Sequence, residues 1–264
     1  MDLGLRGKVA MVAAASQGLG YGAARVLAQE GARVAICSRR ADAIEQAARR
    51  LREETGAEVV GSVCDVSRDQ DLRRWVQEVE QRFGAVDVLV NNAGGPKAGN
   101  FFDMTDEDWY AAIELNFMSV VRLVRYVVPL MRRTGRGGSI ITIVSYSLKE
   151  PIRGLVLSNA MRAALGGLSK SLADELGPEG IRVNAVVQGR FDTERLRSLD
   201  RLRAEREGVP VEQVVRRYTS LIPLGRYGQA EELGRVIAFL ASEAASYVTG
   251  AAWVVDGGML RALY

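Results

Sequence analysis

Three groups of residues in this 264-residue chain could do chemistry. The first is the turn Ala13-Ala14-Ala15-Ser16-Gln17-Gly18-Leu19-Gly20, set between an apolar run and a helix-like segment. Glycines at such a junction let backbone amides approach an anion at a helix N-terminus, where the dipole favours negative charge. Gly18 and Gly20 keep that approach open. Ala14 is tolerable only with a negative φ, because alanine in the left-handed region costs about 1 kcal/mol or more. A simple tight turn accounts for the same residues; their place after the first strand is what points to a nucleotide pyrophosphate. The second group is Ser38-Arg39-Arg40, ending the second apolar run. Guanidinium groups suit a phosphate monoester by charge and by forked donors, and a solvated helix start is the alternative. The third is Ser145, late in the glycine-bounded apolar run 137–147, whose hydroxyl can hydrogen-bond a substrate oxygen; Ser158 and Arg162 follow on a helix.

These groups need a scaffold, and the apolar pattern supplies one. Strand-like runs at 8–13, 33–38, 58–63, 87–91, 137–147 and 252–256 alternate with helix-like segments at 18–30, 41–54, 68–83, 106–133 and 230–242. A helix with Met161, Leu165, Leu168, Leu172 and Leu176 on one face ends at Gly177-Pro178 and leads into another apolar strand. Strands apolar throughout, separated by helices, predict a parallel sheet covered on both faces. The expected fold is α/β: a single doubly wound, Rossmann-like parallel sheet, one domain over 1–264, with right-handed crossovers.

Composition narrows the partners. Lys+Arg 35 against Asp+Glu 32 leaves a formal charge of +3, and no basic block stands out as an arm for nucleic acid. With no His and two Cys, a catalytic zinc site of the usual kind is not expected. Cys37 and Cys64 lie in predicted buried strands and read as core thiols. No apolar run reaches the ~18 residues a membrane span needs, and the N-terminus lacks a signal-type apolar region. A cytoplasmic protein with no nucleic-acid or membrane partner is the expectation.

The stretch 138–184 resembles the core of the short-chain dehydrogenase/reductase family, in which a Ser ends the strand and Tyr-x-x-x-Lys opens the helix. Ser145 matches; Ser158 and Arg162 stand where the Tyr and Lys would be. The family's Thr-Gly-x-x-x-Gly-x-Gly turn is met by Gly18 and Gly20, with Ala13 and Ala14 departing. The resemblance implies an adenine contact at Asp65-Val66 and a ribose-facing segment at Asn92-Ala93-Gly94, which an ordinary Asx-Gly turn would also explain. It implies a water-bonding Asn116 in a proton relay, ribose contacts from Arg162, and Gly189 and Thr193 near the nicotinamide, with Gln188 replacing a proline. Ser38 in place of an acidic residue, followed by Arg39, implies NADP rather than NAD, although Gln17 stands where a second basic residue is often found. The segment about 190–223 corresponds to a substrate lid; its arginines could meet a carboxylate or an acidic carrier, or form a solvated helical face. Val255-Asp256-Gly257-Gly258 resembles the family's closing strand and subunit contact, implying a homo-oligomer such as a tetramer. The small face Ala160, Ala163, Ala164, Gly167 and Ser171, and the valines Val120, Val121, Val124, Val127 and Val128, are the expected contact surfaces.

The chemistry implied is hydride transfer to or from a carbonyl or alcohol on a small-molecule or carrier-linked substrate, similar to that of 3-oxoacyl-carrier-protein reductases. Ser158 is less acidic than a phenol and shorter, and Arg162 keeps its proton, so neither replaces the family acid. Tyr146, next to Ser145, is expected on the opposite side of the strand. Two readings stand: an NADP(H)-dependent oxidoreductase using Asn116, Ser145, Ser158 and Arg162, or a dinucleotide-binding pseudoenzyme acting as sensor or scaffold.

Overall fold

The computed structural model describes residues 2–262. Within them, seven parallel strands form one sheet in the order β3-β2-β1-β4-β5-β6-β7. The strands are β1 Val9–Val12, β2 Arg33–Ser38, β3 Val59–Val63, β4 Val88–Asn91, β5 Gly138–Ser145, β6 Ile181–Gln188 and β7 Ala252–Val255. The inner strands bury both faces, which is why they read as continuous Val, Ile and Ala runs. The edge strands do not: β3 alternates, and β7 leaves Trp253 and Val254 exposed.

Helices α1 Gly18–Gln29, α2 Ala41–Thr55 and α9 Ala230–Ala241 pack on one face, with Leu27, Leu51 and Ile237 in its core. Helices α3 Asp69–Phe83, α5 Ser119–Thr134 and α6 Val156–Leu176 cover the other, with Trp75, Leu123 and Leu165. The path steps outward from β1 to β3 and then returns to β4 on β1's other side. Strand order therefore reverses at the β1/β4 boundary, and a crevice opens beyond the carboxyl ends of these strands.

Two expectations change here. The predicted long helix 106–133 is α4 Asp106–Ala112, a π-helical turn Ile113–Met118, and α5. The wider turn places Asn116 inside, where it is 1% exposed. Four of the five valines of α5 are also not left over for a partner, Val121 alone being half-buried. Val120, Val124, Val127 and Val128 are buried within the chain's own core, because α5 packs on α3 as well as on the sheet. Apolar surface is exposed instead on β7, while Ala163, Ala164, Gly167 and Ser171 of α6 are solvent-facing.

Candidate active site

The crevice is a cavity of about 1170 Å³ running from the end of β2, past the β1–α1 turn, to a further helix, α7 Glu194–Glu207, behind which α8 Val211–Thr219 packs. At its centre α1 begins without a side-chain cap: Gln17 is extended and its side chain bonds no helix amide. The first N–H groups of α1 are thus left for a ligand. Gly18 sits at φ +62°, where a side chain would strain the backbone, and a Cβ on Gly20 would lie 2.7 Å from Asn92 Nδ2.

Ala14 contradicts the sequence expectation: it sits at φ +49°, in the left-handed region. Hydrogen bonds from both sides hold it there. Asn92 Nδ2 donates to the Ala13 and Ala14 carbonyls at 3.2 and 3.1 Å, and Ala15 N–H donates to the Cys37 carbonyl at 2.9 Å. The strain, of order 1 kcal/mol, is imposed by these neighbours. Asn92 is thereby the clamp of the turn.

At the β2 end, Ser38 Oγ donates to the Arg40 carbonyl at 3.2 Å, and Arg39 and Arg40 line the cavity. Neither has a carboxylate within ion-pair distance among the described residues, whereas Arg50, also on the wall, pairs with Glu54 and lies over Tyr21. Asp65 accepts from Ser67 N–H at 3.0 Å and Ser67 Oγ at 2.7 Å, so one carboxylate oxygen shapes the turn into α3. Val66, Ala93 and Gly94 complete that wall. Beneath it, Cys37 and Cys64 are buried free thiols, and burial pushes the Cys37 thiol well above its ordinary range.

Deeper in, Ser145, Ser158 and Arg162 line the same space. Ser145 Oγ accepts from Ser147 N–H at 3.3 Å where β5 ends. Arg162 Nη1 donates to the Ile143 carbonyl at 3.2 Å, while its Nε is buried without a partner. Burial alone lowers its pKa to about 10, so it stays protonated at neutral pH. Gln188 is in register with Ser145, and a Cβ on Gly189 would lie 2.5 Å from Asp256 Cβ, which accounts for that glycine. Thr193 Oγ1 accepts from Leu196 N–H at 3.3 Å and starts α7.

Two predicted residues do not reach the cavity. Gly20 lies under the turn, and Asn116 stands behind the wall, its Nδ2 donating to the Gly94 carbonyl at 2.8 Å and its Oδ1 buried without a partner. Tyr146 corrects a further expectation. Strand alternation would turn it away, but β5 ends at Ser145 and a 3-10 turn over Tyr146–Leu148 brings it onto the cavity wall. Burial raises its phenol pKa, opposed by the charges of Arg190 and Arg203.

Sequence reasoning missed Arg190 and Asn159. Arg190 is buried, pairs with Asp200 of α7 at 3.0 Å, and lies over the Tyr218 ring of α8. Tyr227 Oη donates to the same carboxylate at 2.9 Å, and burial, then that bond, pushes its pKa up to about 12. Asn159 makes two hydrogen bonds to the Ile152 backbone and sets the loop before α6, which is tied to Gly99 on the opposite wall. An arginine directly after Gly189 at the end of a strand and an asparagine in a first helical turn were the available signals.

The family model described as Enoyl-(Acyl carrier protein) reductase matches residues 13–260. The chain belongs to the short-chain dehydrogenase/reductase family. It is 37% identical to 3-oxoacyl-(acyl-carrier-protein) reductase FabG of Pseudomonas aeruginosa over 257 residues, 97% of this chain and 99% of that one. L-sorbose reductase from Gluconobacter frateurii, solved with NADPH and L-sorbose, superimposes with a TM-score of 0.95 at 36% identity, covering all of both chains. A short chain oxidoreductase from Pseudomonas aeruginosa PAO1, bound to NADPH and described as containing an atypical catalytic center, matches with a TM-score of 0.86 at 33% identity over 97% of each chain. This member of the dehydrogenase/reductase family has a cavity that fits a dinucleotide with a third phosphate: uncapped amides at α1 face its middle and unpaired guanidinium groups stand at the β2 end.

Proposed function

We propose that the protein is an NADP(H)-dependent oxidoreductase that interconverts a carbonyl and an alcohol. The observation that carries the reading is that Ser145, Ser158 and Arg162 line the same cavity as the α1 turn and the unpaired Arg39 and Arg40. The β2 end, with Ser38 in place of an acid, suits a 2′-phosphate; Ser16, Gln17, Gly18 and Leu19 suit the pyrophosphate; Gly189 and Thr193 lie toward the nicotinamide end. The bound cofactor would supply or accept the hydride.

The chain's own residues do the rest. Ser145 Oγ–H donates to the substrate oxygen, and the fixed Arg162 charge favours the alkoxide form of that oxygen. Arg162 does not release its proton, and Ser158 is a poor acid, so a water held between them delivers the proton. Asn116 holds Gly94 and, through its free Oδ1, offers a place for a second water on that path. Helix α7, held to the floor by Arg190–Asp200, covers the substrate as the cavity-lining part of a lid over about 190–223.

A second reading is supported by the missing acid and the strained Ala14: a protein that binds the dinucleotide without turning over, as a sensor or scaffold. We read the chain as one domain that assembles through β7 and the small face of α6 as a homotetramer in the cytoplasm, acting on a small-molecule or carrier-linked carbonyl. Among the described residues no helix is long and apolar enough to cross a membrane. The test is NADPH consumption across aldehydes, ketones, quinones and imines, beside a direct NADPH titration and light scattering. Turnover supports the first reading, binding without turnover the second, and a monomer at micromolar concentration rejects the assembly.

A further inference from the structure

The substrate end of the cavity carries more positive charge than the fold uses. Helix α7 turns one face inward, and that face combines Leu199 and Leu202 with Arg195, Arg203 and Arg206. Carboxylates along the same wall are already matched. Arg197 holds Asp192 at 2.7 Å, Arg201 holds Glu194 at 2.5 Å, and buried Arg190 holds Asp200 at 3.0 Å. Arg195 and Arg206, with Arg153 on the facing loop, have no carboxylate within ion-pair distance among the described residues. Arg203 reaches Glu207 only at 4.0 Å.

A solvated helical face would look different. Two outward arginines of this region pair, Arg201 with Glu194 and Arg217 with Glu207 at 2.8 Å, while exposed Arg216 stays in solvent, free to hydrate. Arg195 bridges the lid to the opposite wall, its Nη2 donating to the Pro96 carbonyl at 3.0 Å. Burial lowers its pKa, and no acid compensates. Partly desolvating a guanidinium without a counter-charge opposes folding, so a ligand charge is the missing partner. Arg203 stands close enough to Tyr146, the neighbour of Ser145, for its charge to act on that phenol.

We propose that the substrate is a carbonyl compound with an anionic terminus, carboxylate or phosphate, bound by Arg195 and Arg203 while Ser145 meets the carbonyl. The proposal rests on the oxidoreductase reading and names its substrate class. Leu199, Leu202 and Ile152 line the same cavity and supply its apolar wall. Charge-assisted hydrogen bonds in a partly desolvated site discriminate by about 10- to 100-fold between a charged ligand and its neutral analogue.

The test compares kcat/KM for 4-oxopentanoate and 5-oxohexanoate with their methyl esters, and for dihydroxyacetone phosphate with dihydroxyacetone. Each compound is also titrated calorimetrically into the NADP⁺-loaded protein, and NADPH affinity is measured separately by fluorescence. The expected result is an anion preference of about 10- to 100-fold. It should collapse toward equality in Arg195→Gln/Arg203→Gln and persist in Arg195→Lys/Arg203→Lys, which keeps the charge. The stronger of the two anionic arms identifies the terminus. Esters turned over as well as acids overturn the anion site and leave the oxidoreductase reading standing. Arginine-dependent binding of the acids without turnover of any compound supports the anion site and overturns that reading. Loss of NADPH affinity in the double variant in step with acid affinity assigns the arginines to the cofactor and overturns the proposal, as does failure of every anionic compound to bind.

Discussion

Ala14→Gly should stabilise this protein, against the usual effect of adding glycine. Ala14 lies at φ +49°, and for an L-residue with a Cβ the left-handed region costs about 1–2 kcal/mol. Glycine removes that cost but loses about 0.5–1 kcal/mol through the greater freedom of its unfolded chain. The balance is a gain of about 0.5–1 kcal/mol, or roughly 1–4 °C in Tm for a chain of this size. Ala15→Gly is the control: Ala15 is fully buried at a negative φ, so glycine there adds entropy and removes packing, and Tm should fall. Thermal unfolding by circular dichroism, with and without NADPH, reads both. The gain should persist with NADPH bound, because the clamp from Asn92 to the Ala13 and Ala14 carbonyls is backbone-directed and survives the change. A lower Tm for Ala14→Gly than for the parent chain would refute the reasoning, since the turn would then be unstrained or its methyl in productive contact.

Arg39→Asp should weaken NADPH by about 10-fold or more while improving NADH relative to it, checked by fluorescence titration of both; equal affinities before and after remove Arg39 from the 2′-phosphate. Ser158→Tyr with Arg162→Lys should raise NADPH-dependent reduction of an activated ketone by about one to three powers of ten, and Tyr alone by less, in initial-rate assays. No gain in a folded, NADPH-binding double variant indicates a site rebuilt for other chemistry. Arg162→Met should raise Tm at neutral pH, because a buried cation with one backbone hydrogen bond is replaced by an apolar chain. Its folded pKa, lowered to about 10, means ionisation opposes folding in full below pH 10, and the penalty is relieved as pH rises from there toward the ordinary arginine value. The Tm difference should therefore narrow between pH 7 and about pH 10.5; a constant gap contradicts the buried-charge account.

What the sequence determined by itself was the local and periodic part. Apolar runs of four to eight residues alternating with amphipathic segments specify strands and helices, and their alternation specifies a parallel sheet covered on both faces. The first strand-to-helix turn, Ser38-Arg39-Arg40, and the spacing of Ser145, Ser158 and Arg162 follow from chain order, since loops at the carboxyl ends of parallel strands converge on one crevice. Tertiary structure decided everything that depends on the direction of a side chain at an element's end. Ala14 is forced left-handed by Asn92, which lies 78 residues away in the chain. Tyr146 enters the cavity because the strand stops one residue earlier, and Asn116 withdraws behind the wall because a π turn replaces regular helix. Val120, Val124, Val127 and Val128 of α5 are inside because α5 packs on α3 as well as on the sheet, a packing no single helix pattern reveals. Which lid arginines meet a carboxylate, as Arg190 and Arg201 do, and which line the cavity without one, as Arg195 does, is decided only when α7 is laid against the floor, because periodicity gives a helix its faces and not what those faces will meet.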